Sequence, residues 1–556
     1  MTKGSQGPAL GITARHGRQT RRRRDGRILA AGAVAVAVSV ALAGCSSGNS
    51  SSAAGSGTSG GGWATSPVRL VYAGLAPTHI DPRQATDLDS FTVTRNLYDP
   101  LVWSTDQGKP IPWLATSWHV SADGRATSFT LRSGVKFTDG STFTSADVKE
   151  TIEGMIATKA GQAGSLLSGV TGVSTPNPQT AVINTSAPDP YLLAHLTRIG
   201  IVSAAGVKAH RTASDPRAFT WFDNNSDGTG PYVLGTYTKG SSLQLMKNKQ
   251  WWKGWQPGSI DQVVDQFVPD TATRVEMVQR GTAALTETWS VSDAERVGKQ
   301  SGFTLKTYST YDIDPLLTLN TQKPPFNNKL VRQAAQYAFN YQAMLSYWNG
   351  QATIPGGPMP NSYPGAARFP SYAQDLAKAK QLITQSGVNL AANPVTITVI
   401  AGVAEFSVLG TIAQQSLTAA GFKVKLQTLP GAQALAVLGK PQQATNATTL
   451  ISSPFTTDPT LFLGNFYLPT GSFNFSYYNN PKVNSLIQSA KTSTNPGSAS
   501  SDIQQAEQII RSDAPVIWAA LPKTLVPVPD WLVGYQPSFT DFRWTAYFWP
   551  LREKAH

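Results

Sequence analysis

The sequence predicts an α/β protein of two lobes, and three observations carry that prediction. A chain of 556 residues is too long for one hydrophobic core and should divide. Residues 395–400 (VTITVI), 407–420 and 422–426 (FKVKL) read as strand, helix and strand, with Gly421 stopping the helix. That βαβ unit demands parallel strands joined by a right-handed crossover. Residues 113–156 are built differently, as short strands on tight turns that end in a single helix. Asp123-Gly124 and Asp139-Gly140 are turn pairs, because glycine accepts positive φ cheaply, and residues 128–132 (SFTLR) alternate as a half-buried strand does.

The chain begins with charge. Its formal +13 invites a nucleic-acid reading, but residues 1–44 hold eight Lys and Arg against Asp25 alone, so +7 resides there and +6 is left for the rest. Spread over so long a body without basic runs, +6 is an ordinary solvated surface, and no nucleic-acid partner is expected. Residues 28–42 are small or apolar, too short to span a bilayer comfortably, and read as the core of an export signal. They end in Leu42-Ala43-Gly44-Cys45, which resembles a bacterial lipobox. The resemblance implies a signal peptide at 1–44 and a lipid on Cys45 that anchors the protein to the outer face of the cell membrane. A short transmembrane anchor with an incidental cysteine is the alternative. The basic leader lacks full twin-arginine spacing, which favours the general secretory route. Cys45 is the sole cysteine, so no disulfide, thiolate metal site or cysteine nucleophile is expected. Residues 45–66 are rich in Gly and Ser and are expected to form a flexible tether.

The folded body opens with an apolar strand at 68–72 and a helix at 91–97. Thr144 with Asp147 forms a variant capping box, and Val148, Ile152 and Met155/Ile156 recur at helical spacing behind it. A capped helix at 270–280 stops at Gly281, strands follow at 284–289 and 303–308, and a helix begins near Val331. Beyond the βαβ unit come helices at 481–491 and 502–512 and a buried strand at 516–521. Lysines on one face of residues 422–426 place that strand near a sheet edge. No tandem repeat occurs.

Several ordered segments resemble the peptide/nickel-type solute-binding proteins of ABC importers, family 5 of the extracellular solute-binding proteins. They are Trp118, the Asp123-Gly124 turn, Phe129-Thr-Leu-Arg132, Gly134-Val-Lys-Phe137, Asp139-Gly140, Phe143-Thr144 and Asp147-Val148. Residues 96–102 (NLYDPLV), 228–234 (GTGPYVL), 251–254 (WWKG) and 324–335 (PPFNNKLVRQAA) extend the likeness. It implies a two-lobed, periplasmic-binding-protein-like fold of type II with an extra subdomain inserted in lobe I. Lobe I would cover 67–310, with the insertion at about 103–229, lobe II 311–524, and a return to lobe I 525–556. It also implies a monomeric lipoprotein that captures a peptide-like solute between its lobes and delivers it to a permease and ATPase complex, without chemistry or cofactor. Candidate ligand-binding residues are Tyr98, Trp289, Tyr311, Phe455 and Asp458. In peptide binders of this kind an Asp three residues before an acidic-Pro pair meets the ligand's amine. If Asp458-Pro459 is that pair, Phe455 stands at the Asp position; then Asp458 substitutes for it, the register is shifted, or the solute is not a free-amine peptide, which leaves a nickel chelate, a sugar or an amino-acid conjugate open.

Catalysis finds little support. The six histidines, His16, His79, His119, His195, His210 and His556, show no metal-ligand spacing, and no phosphate-binding G-x-x-x-x-G-K-[ST] loop occurs. A G-x-S-x-G match at 57–61 falls in the low-complexity tether. Residues 223–228 start like a calcium loop, but Leu234 replaces the bidentate Glu. A surface adhesin or scaffold that keeps the lobes without transport is the remaining alternative.

Overall fold

The computed structural model describes residues 62–64, 67–105, 108–287, 289–309, 313–453, 456–536 and 545–555. The expected export signal and Cys45 lie outside them. Two lobes are each organised on a five-stranded sheet. In the first, Leu285–Thr286, Arg69–Gly74 and Gln262–Phe267 run parallel, and Ser242–Lys247 and Tyr232–Thr238 continue the sheet antiparallel. The helix Thr271–Gln279, capped by Asp270, carries the chain over Arg69–Gly74 between the two strands that flank it. The strand expected at 284–289 shortens to Leu285–Thr286, because the chain leaves the sheet at Glu287.

A smaller antiparallel sheet, ordered Ala115–Val120, Ala126–Leu131, Thr180–Thr185, Val170–Asn177, has its own core. Both expected turn glycines sit at positive φ, +69° at Gly124 and +87° at Gly140. The capping box forms as read: Thr144 Oγ1 accepts from Ala146 N, and Asp147 accepts from Thr144 N at 2.7 Å. The helix it opens, Ser145–Thr158, buries Val148, Ile152 and Met155. Each such side chain removed from water stabilises by about 1.5–3 kcal/mol.

The second sheet contains the βαβ unit. Its order is Val424–Leu429, Val395–Ile400, Ala447–Ser452, Ile313–Leu319, Val516–Trp518, with the first three parallel and the remaining pairs antiparallel. The lysine-bearing strand lies at the edge. Its helix runs Ala404–Ala419, one turn earlier than read. The helix expected at 502–512 spans Pro496–Asp513. Asn495 caps it by accepting from Gly497 and Ser498, and Pro496 occupies the first turn, so Ser and Gly residues that look loop-like are helical.

Between the sheets, Phe303–Tyr308 pairs antiparallel with Thr524–Pro529, so the outgoing and returning passages form one ribbon. Gly62 to Ala64, assigned to the tether, are held instead: Trp63 bridges Lys554 and lies 4.0 Å from the Arg552 guanidinium, and Ala555 N donates to Gly62 O at 2.7 Å. An aromatic ring and two backbone bonds outweigh the surrounding Gly-rich composition.

Glu507 is fully buried on the Pro496–Asp513 helix and accepts from Ala367 N at 2.6 Å. Burial pushes its carboxyl up to about 8. The folded state therefore holds the proton more tightly than the unfolded chain, and stability falls as pH climbs from the ordinary carboxyl range through about 8. The slope reaches about 1.4 kcal/mol per pH unit in that window. Glu507→Gln is expected to flatten this dependence; melting curves from pH 5 to 9 that keep the wild-type slope would contradict it.

Candidate functional site

A buried ion pair crosses the seam between the smaller sheet and the second-sheet lobe. His195, on the short helix Leu192–Leu196 beside the smaller sheet, places Nε2 2.9 Å from Asp458 Oδ2. Asp458 lies beyond the end of Ala447–Ser452 and caps the helix Pro459–Tyr467, its Oδ1 accepting from Thr460 N and Thr460 Oγ1 at 2.7 Å each. Both side chains are at most 5 % exposed. Asp189 Oδ2 stands 3.8 Å from the other ring nitrogen. Burial alone would lower the imidazole, but the bond to Asp458 and the charges of Asp458 and Asp189 outweigh it and raise the His195 pKa, with Lys491 opposing. Next to this pair Thr457 Oγ1 donates to Gly108 O at 3.1 Å. An added Cβ at Gly108 would meet Thr457 Cγ2 at 2.0 Å, so glycine is what lets the seam close there.

His195 and Asp458 also border a cavity of about 470 Å³ whose walls come from both sides of the seam, including Gln162, Ser165 and Ser168 on one and Asn465, Gln488 and Lys491 on the other. A larger hollow of about 840 Å³ is lined only by residues 333–382 and 508–514 and belongs to the second-sheet side alone.

The expected ligand residues separate. Tyr98 is 1 % exposed and belongs to the core, not to a cleft wall. Gly228 and Gly230 let the loop before Tyr232–Thr238 press against it, for an added Cβ at either would come within 2.1–2.5 Å of the Leu97 backbone. Trp289 is buried, with Nε1 lacking a partner among the described residues. Asp458 has both oxygens engaged within the protein. Tyr311 and Phe455 lie outside the described residues; near them, Ile313 and Ser452 are register partners. The reading of the sequence missed His195, which looked like one of six scattered histidines. The available signal was a lone polar ring inside the apolar run LLAHL.

Asp99 anchors the smaller sheet to the first lobe. Buried, it accepts from Trp113 Nε1 at 2.6 Å, Trp252 Nε1 at 2.9 Å and Thr229 Oγ1 at 3.0 Å. Burial pushes its carboxyl up to about 6 while these donors pull it back. Trp113 also stacks on Trp103 and lies 3.9 Å from Lys253 Nζ. No helix among the described residues is long and apolar enough to cross a membrane, and no group of three or more His, Cys, Asp or Glu among them could hold a metal ion.

The family model for bacterial extracellular solute-binding proteins, family 5 (middle region), matches residues 109–474. The chain belongs to that family. Among curated relatives, it is 26 % identical over 489 residues to the glutathione-binding protein GsiB of Pectobacterium atrosepticum, covering 85 % of this chain and 92 % of GsiB. Among solved structures, CtaP, an ABC transporter substrate-binding protein of Listeria monocytogenes, superposes with a TM-score of 0.78 at 20 % identity, over 88 % of this chain and 99 % of CtaP. DppA of Helicobacter pylori, a periplasmic binding protein in complex with the peptide STSA, gives 0.73 at 24 % identity, over 88 % of this chain and 98 % of DppA. The same two-lobed body is thus present along nearly the whole folded length of this family 5 protein. Family 5 members are solute-binding transport proteins, found outside the cytoplasm.

Proposed function

We propose that this family 5 protein captures a peptide-like solute between its lobes and hands it to an ABC permease and its ATPase. The observation that carries the reading is the seam itself, two α/β lobes joined by a ribbon, fastened by His195 and Asp458 and bordered by an open cavity walled from both sides. Sites at interdomain clefts allow both walls to close on a ligand, and the closed state then signals occupancy to a partner. The names of relatives that bind glutathione or carry a bound peptide support a peptide-like solute. Trp289, Tyr311 and Phe455 are the proposed ligand-facing residues, with Asp458 acting through His195 and Tyr98 supporting the wall from behind. The lobes are proposed to run 67–310 and 311–524, with residues 103–229 inserted in the first and 525–556 returning to it. The protein works as a monomer held on the outer face of the membrane by lipid on Cys45, and it performs no reaction on its cargo.

Full-length protein purified natively from membranes, followed by mass spectrometry of the small molecules that leave it on denaturation, tests the reading. Short peptides are expected. A solute present at 100 times its dissociation constant should add about 2.7 kcal/mol to apparent stability. Recovery of sugars or metal chelates in place of peptides would move the assignment to another solute class, and the absence of any thermal shift across a peptide library would remove it.

A further inference from the structure

The parallel strands of the first sheet bring together four polar groups whose bonding is unfinished. Tyr72 and Asp265 are register partners, Leu285 pairs with Tyr72 from the other side, and Glu287 follows one residue beyond that strand. Asp89, in the first turn of the helix Leu88–Leu97, accepts from Leu75 N at 3.2 Å and shares a hydrogen bond with Glu287. Tyr72, Asp265 and Glu287 are each at most 3 % exposed. Even so, Tyr72 Oη, Asp265 Oδ1 and Glu287 Oε2 have no hydrogen-bond partner among the described residues. Tyr72 is the independent witness, because its hydroxyl sits in the field of all three carboxyl groups and satisfies none of them. Gly74 keeps the place tight: an added Cβ there would stand 2.8 Å from both Asp265 Oδ1 and Tyr72 Cε1.

The charges do not balance. Arg274 Nη2 lies 3.7 Å from Glu287 Oε1, but its guanidinium also donates to Val268 O at 2.7 Å and Thr271 Oγ1 at 3.1 Å. Burial raises all three carboxyl groups, Glu287 to about 10, and the charge of Asp89 pushes Glu287 and Asp265 further in the same direction. Asp87 beside Asp89 and Tyr535 beside Tyr72 are the other titratable groups that face the cluster. Unpaired buried acceptors of this kind are costly unless a donor arrives. Their position at the carboxyl end of adjacent parallel strands is where open α/β sheets receive ligands.

We propose that Asp89, Asp265, Glu287 and Tyr72 form a cation site on the first-lobe wall of the cleft, made for a primary ammonium group of the solute. This rests on the solute-capture reading given above. An R–NH3+ group brings three N–H donors. Asp265 Oδ1 and Glu287 Oε2 accept two of them, the proton shared by Asp89 and Glu287 leaves to solvent, and the Tyr72 hydroxyl donates to a carboxylate oxygen. No bond within the solute changes.

The full-length protein is offered a random tripeptide library, the same library N-acetylated, and cadaverine as a bare diamine, with retained peptides counted by mass spectrometry. A preference of about 100-fold for free amines is expected, the size of losing one partner of a buried charge pair. Calorimetry in buffers of different ionisation heat should show release of about one proton per peptide bound near pH 7. Glu287→Gln and Asp265→Asn should each cut the preference at least about tenfold, and Glu287→Gln should abolish the proton release. The wild-type comparison decides without these variants if they fold poorly. Equal retention of both libraries overturns the cation site and leaves peptide capture standing. Stabilisation by cadaverine with neither library retained supports the cation site and overturns the peptide reading. No retention and no shift with any probe overturns both.

Discussion

Replacing His195 by alanine is expected to cost about 3–5 kcal/mol, the effect of stranding one member of a buried ion pair. Asp458 would keep its cap on the helix Pro459–Tyr467 but lose the one partner its Oδ2 has among the described residues. The loss should appear as a lower melting temperature and as weaker solute binding, since the bond joins the two sides of the seam. A double-mutant cycle with Asp458→Asn isolates the pair, and a coupling energy near zero would show that the contact does not hold the lobes. The pH dependence has a definite sign. His195 has a raised folded pKa, so the contribution of its bond is complete below the ordinary imidazole value of roughly 6.5 and is lost as pH rises through the folded value. Solute affinity should therefore weaken on the alkaline side in wild type, and this component should vanish in His195→Ala.

Asp99→Ala is expected to be nearly as damaging, for a different reason. Two indole N–H groups and the Thr229 hydroxyl would lose their shared acceptor inside a packed interior. At about 1–3 kcal/mol for each buried donor left unsatisfied, the total reaches several kcal/mol. Asp99→Asn preserves one oxygen and should retain part of it. Because Asp99 sits where the smaller sheet meets the first lobe, Trp113 and Trp252 report the damage directly. A tryptophan fluorescence change preceding global unfolding in Asp99→Ala is the expected signature, and one cooperative transition at the wild-type temperature would contradict it.

Local chemistry accounts for what was legible beforehand. The Thr144 and Asp147 capping box, the glycines at 124 and 140, and the strand Val395–Ile400 were readable because each depends on neighbours within a few positions. Helix starts were harder. Pro496–Asp513 begins six residues before the apolar periodicity suggests, since an Asn cap and a first-turn Pro suffice to open a helix through Ser and Gly. Tyr98 was read as cleft-lining from the segment around it, yet Gly228 and Gly230, 130 and 132 positions further on, press the chain against it. Nothing near Tyr98 in the sequence carries that information.

By itself the sequence determined the two α/β lobes, the parallel unit of the second sheet and the family resemblance, because turn, cap and alternation rules act over short spans of chain. Only the tertiary structure decided which polar groups meet. His195 and Asp458 are 263 positions apart, and Tyr72, Asp89, Asp265 and Glu287 come from four separate segments. Electrostatic partnership depends on distance in space and on exclusion of water, and neither quantity has a period or a motif along the chain.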